Sequence, residues 1–167
     1  GATDETEVRL IFLDIDGVLN GHEKFPNGYC GIRFDCAARL NRILEEVPNA
    51  RLVISSAWRY MVLKSDMTIN GFEYLLMACG VDAKGKLHGV TAVDPSQTAL
   101  KHWEQQDGLL WRAVQIRDYL STAPLYNRDH FLVLDDLPIP VPRLIQTDGT
   151  KGLTHADAEK AIKLLSE

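Results

Sequence analysis

The chain has 167 residues, 46% of them apolar and 25% charged. That is the size and balance of one globular domain, and no apolar run approaches the roughly 20 residues that span a bilayer. A formal net charge of -5 argues against tight nonspecific nucleic-acid binding driven by the field of the whole domain, though a local basic groove stays open.

The opening segment from Gly1 to Glu7 is small, polar and acidic, without the basic and apolar regions of a secretion signal. It is read as a disordered or vector-derived N-terminus, with a single domain over 8–167, and the protein as cytoplasmic. The three cysteines, Cys30, Cys36 and Cys79, are odd in number and lack CxxC spacing, so reduced thiols are expected rather than disulfides or a zinc site.

Short apolar runs alternate with helical patterns. Val8 to Leu13, Arg51 to Ser55, Lys86 to Thr91, His130 to Leu134 and Arg143 to Thr147 read as strands. Asp35 reads as an N-cap, followed by Leu40, Ile43, Leu44 and Val47 at helical spacing and by Pro48 as a stop. A second helix is expected over Gly71 to Cys79, ended by Gly80, and a third over Trp111 to Leu120. A fourth is expected from Thr154, with Asp157 as its capping partner. This alternation predicts an α/β fold: a parallel sheet of five strands covered by helices on both faces. Gly21 to Phe34 is expected to be an irregular flap, and Ala92 to Leu110, with His102 and Trp103, a second loop.

In such a sheet, ligands bind beyond the carboxyl ends of the strands. The first strand ends in Asp14-Ile15-Asp16-Gly17, where period-two alternation would put both carboxylates on one side. Like charges so placed repel unless a cation sits between them or one carboxyl holds a proton. The second strand ends in Ser55-Ser56 and the fourth in Asp135-Asp136, while Arg112 opens the helix before the fourth. Together these supply carboxylates for a hard cation, and hydroxyl and guanidinium groups for an anion. Arg59, following the serine pair, is a further candidate for phosphate against the plainer reading of a surface ion pair. Trp58 reads as packing. His22 is a candidate leaving-group contact or a solvated loop residue, and Asp148 an outer partner of the acids or an ordinary turn former. His88, His102 and His155 carry no functional reading.

The order of DxDGVL, an apolar strand with Ser, a basic residue, and an apolar strand with DD resembles the haloacid dehalogenase (HAD) superfamily over nearly the whole domain. Val53-Ile54-Ser55-Ser56-Ala57-Trp58-Arg59, Leu134-Asp135-Asp136 and Gly152-Leu153-Thr154 are further similar to the HAD domains of Swiss Army Knife RNA repair proteins. The resemblance implies a Rossmann-like three-layer α/β/α sandwich without a large cap, and a phosphatase that works through an aspartyl phosphate. By the same resemblance Asp14 is the nucleophile and Asp16 the general acid and base. Ser55 and Arg112, with Ser56 and Arg59 beside them, take the phosphate. Asp14, Asp16 (through its carbonyl), Asp135 and Asp136 make the metal site, and Mg²⁺ suits such oxygen ligands. Whether Asp135 or Asp136 touches the metal is open, and Lys101 is an alternative to Arg112.

A site without a large cap is expected to admit macromolecules, and the RNA-repair likeness favours a nucleic-acid end. The alternatives are a protein or small-metabolite phosphatase, a phospho-acceptor signalling module, or a binding domain that keeps the fold. The signalling module is disfavoured because the second strand ends in Ser rather than an acceptor Asp.

Overall fold

The computed structural model describes residues 7–64, 67–91 and 108–167. The readings that fall on residues 1–6 and 92–107, and with them Lys101, His102 and Trp103, lie outside the described residues. In chain order the elements are β1 (Arg9–Leu13), β2 (Gly28–Tyr29), β3 (Ile32–Arg33), α1 (Phe34–Glu46) and β4 (Ala50–Ile54). After them come α2 (Tyr60–Leu63), α3 (Ile69–Ala78), β5 (Leu87–Val90), α4 (Gly108–Ser121), β6 (Phe131–Asp135), β7 (Leu144–Gln146) and α5 (His155–Leu165).

Five strands form one parallel sheet in the order β5-β4-β1-β6-β7, as the apolar runs predict. These runs are continuously apolar because both faces are covered. Along β1, Ile11 and Leu13 enter the core shared with α1, α3 and α5, while Leu10 and Phe12 enter a second core with Ala113 and Ile116 of α4. The alternation repeats in β4, where Leu52 and Ile54 face one way and Val53 the other, and in β6, where Leu132 and Leu134 oppose Phe131 and Val133. The result is the α/β/α sandwich. Phe12 anchors the second core through edge-on contacts with Tyr119 at 5.7 Å and Phe131 at 6.1 Å.

Connections run from β1 outward to β4 and β5 on one side, then return to β6 and β7 on the other. The carboxyl end of β1 is therefore the point where strand order reverses and a crevice opens. Leu13 pairs with both Ile54 and Leu134, so Asp14, Ser55 and Asp135 follow at one level. The Asp14 amide donates to the Leu134 carbonyl at 3.0 Å and the Ser55 amide to the Leu13 carbonyl at 2.9 Å, which fixes that level.

Helix boundaries shift by a few residues, with local causes. The N-cap of α1 is Arg33, not Asp35. Asp35 lies inside the first turn, where it accepts from the Cys36 amide at 3.0 Å and from the Arg33 guanidinium at 2.9 and 2.7 Å. A carboxylate gains there from the N-terminal dipole as well as from its partners. α3 starts two residues before Gly71 because the Thr68 hydroxyl accepts from the Gly71 amide at 3.0 Å. α4 starts at Gly108, so Arg112 stands one turn inside the helix rather than at its opening. The capping box of α5 is formed as read: the Thr154 hydroxyl accepts from the Asp157 amide, and the Asp157 carboxylate from the Thr154 amide.

Between β1 and α1 the flap carries the antiparallel β2–β3 hairpin, turned through Cys30 (φ 55°) and Gly31 (φ 79°). Both central residues with positive φ give the tight hairpin turn that matches strand twist. Among the described residues there is no cap domain, the three cysteines are free thiols, and no helix is long and apolar enough to cross a membrane.

Candidate active site

Beyond the end of β1 lies a cavity of about 320 Å³, lined by Asp14, Asp16, His22, Ser56, Ala57, Arg112, Asp136 and Leu137. Four of the residues singled out for catalysis or metal in the sequence thus meet Arg112 at one place, since Asp135 joins them from beneath. One carboxylate oxygen from each of Asp14, Asp135 and Asp136 lies within 4.8 Å of the others.

The trio is where the electrostatic strain sits. Asp14 is 5% exposed and Asp135 fully buried. Burial, then the neighbouring Asp135 charge, pushes the Asp14 carboxyl up to about 9, against the pull of Arg112. Burial also raises Asp135, while Arg112 and the Leu137 amide lower it. Arg112 donates from Nη1 to Asp135 Oδ2 at 2.8 Å and stands 3.6 Å from Asp14 Oδ2. One guanidinium cannot neutralise three carboxylates, so the cluster either holds a proton or takes a further cation.

The repelling set differs from the expectation. Asp14 and Asp16 share the cavity, but β1 ends at Leu13 and the chain turns at Asp16, so strand alternation no longer places the second carboxylate. Asp16 is exposed and outside the trio, and its Oδ1 accepts from the Asn20 amide at 3.0 Å.

Asp136 is held in a cradle of glycines. Gly17 has φ 86°, and a Cβ there would overlap the Asp136 carboxyl group. A Cβ on Gly149 would lie 2.8 Å from Asp136 Oδ2. That oxygen also meets His22 Nε2 at 3.0 Å, so His22 is neither merely solvated nor isolated. The motif turn is fastened from behind by the Thr147 hydroxyl, which donates to the Gly17 carbonyl at 2.7 Å, and by the Leu153 amide, which donates to the Val18 carbonyl at 2.7 Å.

Ser55 is 1% exposed, and its Oγ has no hydrogen-bond partner. A buried hydroxyl left so costs free energy that a ligand oxygen beside Asp14 would restore. Ser56 lines the cavity; its Oγ accepts from the Trp58 amide at 3.1 Å, which leaves its O–H to donate. Arg59 is not among the lining residues. It is buried, donating to the Ser56 carbonyl at 2.8 Å and to Gln115 Oε1 at 3.1 Å, and burial lowers its pKa. The surface ion pair considered for it is not formed. Asp148, exposed, accepts from the Thr150 amide at 2.9 Å and hydroxyl at 2.6 Å, the turn former of its two readings.

Asn20, Gln115 and Gly149 escaped the sequence reading. Asn20 follows the acidic motif directly, and a small amide after DxDGVL was the available signal. Gln115 lies one helical turn beyond Arg112 on α4, and its partner Arg59 is distant in sequence, so nothing local marked it.

The HAD domain in Swiss Army Knife RNA repair proteins matches residues 10–158. The chain belongs to this family. Comparison with curated proteins and with solved structures gave no match. The HAD match spans every element that builds the cavity, from β1 to the start of α5. The donor set also fits a hard divalent cation: carboxylates within 4.8 Å, an Asp14 carboxyl that a proton or a cation relieves, and, among the described residues, no nitrogen or sulfur ligand apart from the exposed His22.

Proposed function

We propose that the protein is a Mg²⁺-dependent phosphomonoesterase of the HAD type, acting through an aspartyl phosphate on an accessible phosphate such as a nucleic-acid end. The observation that carries this reading is the cluster of buried Asp14 and Asp135, bridged by Arg112, with the half-buried Asp136, facing the exposed Asp16 across one cavity. Asp14, Asp135 and Asp136 would hold the cation, which when bound supplies the positive charge that lets a carboxylate approach a phosphate.

Asp14 attacks phosphorus, and the bond to the leaving oxygen breaks with its electron pair going to that oxygen. Asp16 gives this oxygen its proton. Water then attacks the phosphorus of the aspartyl phosphate and loses a proton to Asp16, releasing inorganic phosphate and restoring Asp14. Exposure suits Asp16 to this exchange, and burial suits Asp14 to being shielded from solvent between turnovers. Arg112 and the Ser55 hydroxyl meet the phosphoryl oxygens, while Ser56 and Arg59 shape the loop that carries Ser55.

The nucleic-acid part of the reading is supported by a cavity with no cap domain among the described residues and by the flap beside it, where Phe25 is 86% and Tyr29 59% exposed. Exposed aromatic rings offer bases a stacking face. The test is phosphate release from p-nitrophenyl phosphate, 3′- and 5′-phosphorylated oligonucleotides, phosphopeptides and small phosphate esters, with Mg²⁺ or EDTA, for wild type and Asp14→Asn. Mg²⁺-dependent release lost in Asp14→Asn is expected, with an oligonucleotide preferred. Preference for a phosphopeptide or a small ester would replace the substrate class, and no release from any ester would favour a phospho-acceptor or binding domain.

A further inference from the structure

Asn20 uses its whole hydrogen-bonding capacity at the junction of the acidic motif and the flap. Its Oδ1 accepts from the Gly17 amide at 2.9 Å and the His22 amide at 3.2 Å. Its Nδ2 donates to Asp16 Oδ1 at 3.0 Å and to the Gly31 carbonyl at 3.0 Å. Two acceptor and two donor positions are all that a primary amide has. The residue is 6% exposed; its bond from the Gly17 amide is buried and the other three are partly buried. Asp16, in contrast, is exposed, and the Asn20 amide is the only hydrogen-bond partner of its carboxylate among the described residues.

We infer that Asn20 is the positioning residue for Asp16, and that it couples the carboxyl which protonates the leaving oxygen to the placement of the β2–β3 hairpin. The inference rests on the phosphatase reading above. One NH₂ group holds both the Asp16 carboxylate and the turn of the hairpin, so the hairpin cannot leave Gly31 behind without loosening the amide that aims Asp16. Gly17 and His22, held by the other end of the same side chain, are the residues against which Asp136 rests. The flap thus reports its position to the acid and base through a single buried amide.

The experiment compares kcat/KM on phenyl phosphate with kcat/KM on p-nitrophenyl phosphate, a matched pair that differs in the need to protonate the leaving oxygen; kcat/KM ends at release of the phenol and so leaves out the hydrolysis step, in which Asp16 serves both esters alike. Asn20→Asp keeps an oxygen for the Gly17 and His22 amides and removes both donors. A misaimed acid costs on the order of 100-fold, so the phenyl phosphate rate is expected to fall by about that factor and the p-nitrophenyl phosphate rate by less than about 10-fold. The readout is the ratio of the two rates on one sample, which does not depend on the folded fraction. Asn20→Ala gives the same comparison should Asn20→Asp fold poorly. Equal losses on both esters, or no loss on either, would overturn the coupling and leave Asn20 a structural residue. A wild type inert toward both esters and toward the phosphorylated oligonucleotides, phosphopeptides and small esters above would overturn the phosphatase reading, and this inference with it.

Discussion

Replacing Asp14 by Asn should stabilise the metal-free protein at alkaline pH and weaken its response to Mg²⁺. In the folded chain burial and Asp135 push the Asp14 carboxyl up to about 9 from 3.8. A raised carboxyl contributes stability that is fully present below the unfolded value and is lost as pH rises through the folded one, because the folded state binds the proton more tightly. The window is therefore pH 4 to 9, and one proton gives a slope of about 1.4 kcal/mol per pH unit. Between pH 6 and 8 the wild type should lose at most about 3 kcal/mol, which for a chain of this size is roughly 6 to 12 °C in Tm. Asn cannot ionise, so the variant lacks this slope and should melt above the wild type at pH 8 in EDTA. Differential scanning fluorimetry from pH 5 to 9 reads the difference between the two proteins, in which histidine titration cancels. Mg²⁺ should raise the wild-type Tm at pH 8 by taking the place of the proton, and raise that of the variant less, because Asp135 and Asp136 remain but one charged ligand is lost. Parallel melting curves for the two proteins across this range would refute the account of the trio.

Three further perturbations probe the frame around the cavity. Gly17→Ala forces a side chain to φ 86° and into the Asp136 carboxyl, so a loss of at least about 2 kcal/mol and weaker Mg²⁺ stabilisation are expected in thermal melts with and without the cation. Arg112→Ala removes the guanidinium that, among the described residues, is bonded to Asp135 and stands beside Asp14. Discounted for the partial exposure of Arg112, a cost of roughly 2 to 4 kcal/mol at pH 8 is expected in urea unfolding, and less at pH 5 where the acids take up protons. Thr154→Ala breaks the capping box of α5 far from the acids, so about 1 kcal/mol should be lost with phosphate release per folded molecule unchanged.

Much of this architecture is written locally. Apolar runs such as Ile11 to Leu13 and Leu132 to Leu134 specify strands buried on both faces, and Thr154 with Asp157 specifies a helix start, because these signals act between near neighbours. The chemical types at the strand ends, Asp14, Ser55 and Asp135-Asp136, are equally legible, since a parallel sheet gathers its carboxyl ends on one edge whatever the loops do. Tertiary packing decided which charges meet. Alternation along β1 pairs Asp14 with Asp16, yet the chain leaves the strand at Asp14, and the neighbours in register across β6 supply the true partners, Asp135 and Asp136. The same holds for Arg59, whose polar position after Ser56 says nothing of Gln115 on a distant helix, and for Asn20, whose side chain reaches the flap hairpin at Gly31. Propensity and pattern report on the backbone within a few residues. The strength of an electrostatic site depends on burial and on distances across strands, and only the closed sheet sets those.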